Sequence, residues 1–233
     1  LANFARALRD EEVHKAVQVT AIFVVAAVAT EVILGLALSW LFNRHIFGRP
    51  VLRSIMVLPI FATPIAVGYL FFTIFYEIGG PLEFLGIPWL SNPHWALVSV
   101  ILVDIWQWTP FMMLAFFAGL QSLPVNPYRA AAVDGADPVQ TFFRLTLPML
   151  SPVLAVIGLL RLIDAFKVFD TIFLLTGGGP GAATESPSIL AYKLVFEYWK
   201  VGEASALAAL VWIAFFLFCS LFYHVARKRL NAF

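Results

Sequence analysis

The chain has 233 residues, of which 61% are hydrophobic and 12% charged, with a mean hydropathy of +0.89 and a formal net charge of +1. A soluble domain is nearer half apolar and a quarter charged, so most of this surface must face lipid or other membrane helices. The near-neutral charge argues against a nucleic-acid binder, and the single cysteine, Cys219, sits in an apolar run, which rules out a disulfide framework and reads as a buried small hydrophobe.

Residues 1–13 mix charged and apolar side chains and read as a surface helix. The chain starts at Leu1 with no initiator Met and no signal peptide, and the expectation is that a sixth membrane helix precedes it. Five apolar stretches follow, at residues 17–42, 51–76, 95–120, 149–175 and 206–225. Each is long enough to span a bilayer, for which about 20 residues suffice. No internal repeat or low-complexity tract is evident. The fold class expected is all-α: a polytopic helical membrane protein with five spanning helices, forming one domain over residues 1–233. Pro59 and Pro64 fall in the second stretch and predict kinks there, either static or acting as a gating hinge.

Lys and Arg accumulate in cytoplasmic loops, and this sets the orientation. The loop after the first span holds Arg44, Arg49 and Arg53 and is expected in the cytoplasm. Residues 78–94 carry no Lys or Arg and are expected outside. The loop with Arg129 and Arg144 returns to the cytoplasm, residues 176–200 lie outside despite Lys193 and Lys200, and Arg227-Lys228-Arg229 end in the cytoplasm. Residue 1 is then outside, as the expected upstream helix requires.

Between the third and fourth spans the sequence reads PYRAAAVDGADPVQTFFRLTLP, a short charged amphipathic block in a very apolar chain. Ala130, Ala131, Ala132 and Val133 favour a helix, Asp134 and Gly135 end it, and Pro138 closes the turn. Such a helix-turn-helix on the cytoplasmic face presents a compact knob to a soluble partner, with small alanines that let its backbone approach closely. The spacing resembles a signature of membrane subunits of binding-protein-dependent ABC importers: Glu-Ala-Ala, three residues, Gly, nine residues, then Ile-x-Leu-Pro. Arg129-Ala130-Ala131, Gly135 and Leu145-Thr146-Leu147-Pro148 fall at those intervals, with Arg129 where the family has Glu and Leu145 where it has Ile. Phe169-Asp170 and Leu175-Thr176-Gly177-Gly178-Gly179-Pro180 resemble the end of the fifth membrane helix in sugar-type permeases of the maltose and glycerol-phosphate group. Leu58-Pro59 is a further, supporting match.

The resemblance covers essentially the whole chain and implies a transport subunit rather than an enzyme. It would form, with a second permease, the alternating-access pathway for a sugar, oligosaccharide or polyol delivered by an external binding protein. Residues 126–143 would be the cytoplasmic coupling-helix loop, with Arg129, Ala130, Ala131, Asp134, Gly135, Ala136 and Asp137 meeting the ATPase. The partners implied are a homologous but different permease subunit, two ATPase subunits, the substrate-binding protein and membrane lipid. ATP and Mg would be bound by the ATPase, with no cofactor on this chain. The location implied is the bacterial or archaeal cytoplasmic membrane.

Charges within the spans mark where a substrate could pass, since each costs roughly 2.5–3.5 kcal/mol on insertion scales and tends to face protein or water. Glu31 lies in the first span, Asp104 in the third, and Arg161, Asp164, Lys167 and Asp170 in the fourth. Steps of three drift by about 60° around a helix, so neighbours in that series can pair while its ends diverge. At about 1.5 Å per residue, Asp104 comes ~13 Å, Asp164 ~16 Å and Lys167 ~12 Å below the outer ends of their spans. Trp108 and Arg161 come near ~20 Å, with Thr63 at a similar level. Thr63, Asp104, Trp108, Phe111, Arg161, Asp164 and Lys167 are the candidate substrate residues: aromatic faces stack on sugar rings, and charged groups hydrogen-bond hydroxyls. In maltose-type permeases the sugar site lies among these central helices. The competing reading makes the charges ion pairs that fix helix packing, and it weighs more for Lys167 and Asp170. Glu31 reads as an inter-helix or inter-subunit contact.

Gly177-Gly178-Gly179-Pro180-Gly181 lacks the Lys-Ser/Thr of a phosphate loop and reads as a flexible outer loop meeting the binding protein. His14, His45, His94 and His224 have no metal-ligand spacing, and no Ser-His-Asp or Cys-His set is arguable. The alternative function is a secondary active transporter, which would show inverted repeats and paired broken helices and would not need the knob.

Overall fold

The computed structural model describes residues 2–43 and 48–230, leaving out the side chains of Arg49 and of residues 224–230. Among the described residues every regular element is a helix. Four are long and apolar enough to cross a membrane, or five if a bent pair of helices counts as one span. Arg44 and His45, and the side chains of Arg49, His224, Arg227, Lys228 and Arg229, lie outside the description, so their part in the orientation argument rests on sequence.

The expected surface helix over residues 1–13 is shorter, because Asp10 starts a new helix. α1 spans Ala2–Ala7, and the Asp10 carboxylate then accepts from the Glu12 amide at 2.9 Å, capping α2 (Glu11–Phe42). Glu11 and Glu12 sit in its first turn, where the helix dipole favours negative charge.

The second expected span is not continuous. α3 (Arg49–Phe61) and α4 (Pro64–Phe75) meet at 99°. Pro64 has no amide to offer the Ile60 carbonyl, and it drives Thr63 into extended backbone. The freed groups find partners. The Thr63 hydroxyl accepts from the Ala66 amide at 3.4 Å, and the Gln107 side chain of the next span donates to the Ala62 carbonyl at 3.1 Å. Non-helical backbone at membrane depth is tolerated when protein groups satisfy it in this way.

α5 (Pro93–Gln121) packs along α2 as the central seam. Phe23, Ala27, Val100, Val103, Met112 and Phe116 are buried there. The helices approach so closely at Gly35 that a Cβ added there would lie 2.5 Å from that of Met112. On the opposite face from the α5 start come α6 (Asn126–Val133), α7 (Pro138–Thr141) and a π-helical turn, Phe142–Thr146, that leads into α8 (Leu147–Phe166). Pro148 explains the wide turn, since it cannot donate to Arg144 as a regular helix would demand.

The fourth span also ends early. α8 stops at Phe166, Lys167 is its cap, and a separate helix α9 (Asp170–Leu175) packs on α4. The break leaves Lys167 exposed and puts Asp170 in the first turn of α9, a favourable place for an anion. α10 (Pro187–Phe196) and α11 (Val201–Leu230) complete the chain, with α1 lying against the start of α11 and Arg6 pairing with Glu203.

Two features of the predicted outer face are better ordered than the sequence suggests. The glycine loop is cross-braced rather than flexible: buried Thr184 meets the Thr176 hydroxyl at 2.7 Å and donates to the Gly179 carbonyl at 2.8 Å. Glu77 gathers the Leu90 and Ser91 amides, both at 2.8 Å, and the Ser91 hydroxyl at 2.7 Å. Slight burial raises the Glu77 pKa, but these hydrogen bonds outweigh it and hold the carboxyl below its ordinary range. Lys193 and Lys200, which run against the charge rule, are neutralised by Glu185 at 2.5 Å and Glu203 at 3.4 Å.

Candidate functional site

Arg161 is the centre of the charged residues within the bundle. Its side chain is 1% exposed. Nε donates to Glu31 Oε2 at 2.7 Å and Nη2 to Glu31 Oε1 at 2.9 Å, the two-pronged geometry suited to a planar guanidinium. Nη2 also donates to Asp104 Oδ2, and Nη1 to Asp164 Oδ2 at 3.4 Å. The guanidinium carbon lies 5.1 Å from the Trp108 ring centre, within cation–π range. One side chain of α8 thus ties α2 and α5 together by their buried carboxylates.

The structure brings four of the seven candidate substrate residues together: Asp104, Trp108, Arg161 and Asp164. Phe111 joins them through an edge-to-face contact with Trp108, centroids 6.2 Å apart. Asp164 is the open end of this group, with 47% of its side chain exposed, while Trp108 and Phe111 are half-buried. Asp104 and Arg161 face protein and are 5% and 1% exposed. Thr63 is elsewhere, exposed at the α3–α4 bend. Lys167 is also apart: it caps α8 and forms no ion pair among the described residues. The depths expected for Asp164 and Lys167 need correction, because α8 ends at Phe166 and both lie at its terminus. Of the i,i+3 pairs expected along 161–170, Arg161–Asp164 forms and the two involving Lys167 do not.

Glu31 is the inter-helix contact expected, with Arg161 as its partner, although spacing alone could not pair residues 130 apart. Gln107 was missed. It is buried, one turn from Asp104, and it closes the α3–α4 break. The available signal was a second polar side chain at i+3 in an apolar span.

The second group is the knob between α5 and α8. Arg129, Ala130, Ala132, Val133, Asp134, Gly135 and Asp137 are exposed, Ala136 is half-buried, and Ala131 alone of the alanines turns inward, 8% exposed. Gly135 adopts φ 73°, and nothing lies within 4 Å of where its Cβ would be. That left-handed turn ends α6, and the Asp137 carboxylate then starts α7 by accepting from the Val139 and Gln140 amides at 2.7 and 2.8 Å. Arg129 is an exposed cation with no ion-pair partner among the described residues. No cluster of potential metal ligands occurs among the described residues.

Comparison with known proteins gives a consistent answer. Residues 18–231 match the family model described as "binding-protein-dependent transport system inner membrane component". The chain is 42% identical over 216 residues to a probable ABC transporter permease protein, y4oQ, of Sinorhizobium fredii, covering 89% of this chain and 69% of that protein. It is 38% identical over 240 residues to the trehalose/maltose transport system permease protein MalF of Thermococcus litoralis, covering 98% and 80%. The fold superimposes on a chain of a bacterial ABC transporter involved in import of the acidic polysaccharide alginate, with a TM-score of 0.88, 23% identity and coverage of 98% and 83%.

Proposed function

Because this chain belongs to the family of inner membrane components of binding-protein-dependent transport systems, we propose that it forms half of the import pathway of an ATP-driven sugar transporter. It is a multi-pass transport component and not an enzyme. A secondary active transporter, the alternative the sequence left open, is set aside by that membership. The pathway is completed by a second, homologous permease, two ATPase subunits and an external binding protein, in a bacterial or archaeal cytoplasmic membrane. ATP and Mg belong to the ATPase. The relatives named for trehalose and maltose support a sugar, oligosaccharide or polyol as cargo. The half-exposed Asp164 with Trp108 and Phe111 supplies a hydroxyl-binding carboxylate beside stacking faces.

The observation that carries this reading is the exposed knob from Arg129 to Asp137, held by the Gly135 turn on the face predicted to be cytoplasmic. Small residues there admit a close partner, and Arg129 offers an unpaired cation to an acidic groove on the ATPase. The test is Gly135→Trp in the assembled importer. Bulk and a left-handed φ unsuited to a side chain both oppose docking there. Membrane insertion should persist while substrate-stimulated hydrolysis and uptake fall together. Normal stimulation and uptake in that variant would refute the docking role.

A further inference from the structure

We propose that Tyr128 is a positioning residue that makes the knob and helix α8 move as one, so that force from the ATPase reaches the membrane charge cluster. This rests on the docking role of the knob and names how docking is transmitted. Two routes join α6 to α8. The covalent route runs through the Gly135 turn, a four-residue helix and a π-helical turn. Each of these is a weak lever: the glycine turn has no side chain to pack, α7 is a single turn, and the π-helical turn interrupts the regular α-helical ladder. Alone, that route would let α6 rock without displacing α8.

The second route is a pair of hydroxyls. Tyr128, in the first turn of α6, donates from its phenol to Thr146 Oγ1 at 3.1 Å. Thr146, 6% exposed, is the last residue of the π-turn and immediately precedes α8. Its own hydroxyl donates to the Thr141 carbonyl at 3.4 Å, so the two donations run in one direction and close the π-turn on itself. A cavity of about 510 Å³ lies beside this pair, lined by Trp40, Leu123 and Phe142 among others. The knob is therefore not packed solidly onto the bundle, and the Tyr128–Thr146 bond bridges a place where contact is sparse. Beyond it, α8 runs unbroken to Arg161, about 22 Å further at the helical rise. There the guanidinium grips α2 and α5.

The experiment uses the full importer in lipid vesicles with its ATPase and binding protein, and trehalose as probe, with maltose as the second sugar. The readout is sugar molecules carried per ATP hydrolysed, beside the amount of ATPase that co-purifies. Tyr128→Phe and Thr146→Val each remove the bond with little change of shape. Each should lower the ratio roughly 2- to 10-fold, the range one neutral hydrogen bond supports, with the ATPase still bound. The double variant should be no worse than Thr146→Val alone, which already lacks the bond to Tyr128 as well as its own donation to the Thr141 carbonyl. Thr146→Ser keeps the hydroxyl and should restore the wild-type ratio. A wild-type ratio in Tyr128→Phe, or an additive fall in the double variant, overturns the proposal. Gly135→Trp, measured in parallel, separates the premises: if it too couples normally the docking role fails, and if it alone uncouples only the strut fails.

Discussion

At the residue scale, the charges within the membrane divide into two jobs by exposure. Arg161, Glu31 and Asp104 are buried with both carboxylates bonded to the arginine, an arrangement we propose fixes packing, and only Asp164 reaches out of the group. Buried pairs add little net stability compared with apolar residues, but removing one partner strands the other charge at a cost of about 3–5 kcal/mol. Arg161→Ala should therefore sharply lower the yield of assembled importer and its thermal stability in detergent. Asp164→Ala leaves Arg161 with two carboxylates, so it should assemble normally while uptake of sugar falls. Equal loss of assembly in both variants would assign Asp164 to packing as well. From sequence, the polarity of these positions was legible, as was the link from Arg161 to Asp164 at i,i+3. The bonds to Glu31 and Asp104 were not, because helical periodicity fixes neighbours along one helix and says nothing about which faces of separate helices meet.

At the element scale, prolines decided where sequence and structure part. Pro64 together with Gln107 breaks the second crossing by 99°, where composition alone reads as one apolar run. A kink was expected, but the size of the bend depends on Gln107 accepting the role of partner to a freed carbonyl, a contact across 45 residues. Away from any proline, α8 also ends early, with Lys167 at its cap and Asp170 opening α9, where the apolar stretch read from sequence runs on to residue 175. The helix, the Gly135 turn and the restart at Pro138 were legible in the knob, since Ala, Asp-Gly and Asp-Pro punctuation is local chemistry, while the π-helical turn that follows was not. The outer segment 78–94 was read only as lacking positive charge, yet Glu77 just before it organises it by collecting three donors. A carboxyl whose pKa is lowered on folding stabilises the fold above its unfolded value and loses that contribution as pH falls through the folded value. The order of this loop should hold at neutral pH and fade as the pH falls below the ordinary carboxylate range. Protection of the Leu90 and Ser91 amides from hydrogen exchange, corrected for intrinsic rates, should drop on acidification, and Glu77→Gln should lower it at neutral pH. Unchanged protection in both conditions would remove Glu77 as the organiser.

At the scale of the whole molecule, the chain reads as a conduit with an attachment point at one end. α2, α5 and α8 are joined by one arginine, while α3, α8 and α11 present large exposed apolar side chains, among them Ile55, Val156 and Trp212. Those surfaces suit lipid and a second permease. The knob sits at the foot of α8 and the charge cluster near its other end, so one continuous helix, with Pro152 inside it, runs from the proposed docking face to the charges. The central claim is that ATP hydrolysis by a partner drives passage through this bundle. The most direct test is sugar uptake into vesicles holding the complete importer, with ATP on the knob side, compared with the same vesicles given only a proton or sodium gradient. The account predicts accumulation of the cargo sugar that requires hydrolysable ATP and is indifferent to the ion gradient. Accumulation driven by the gradient in the absence of ATP would contradict it.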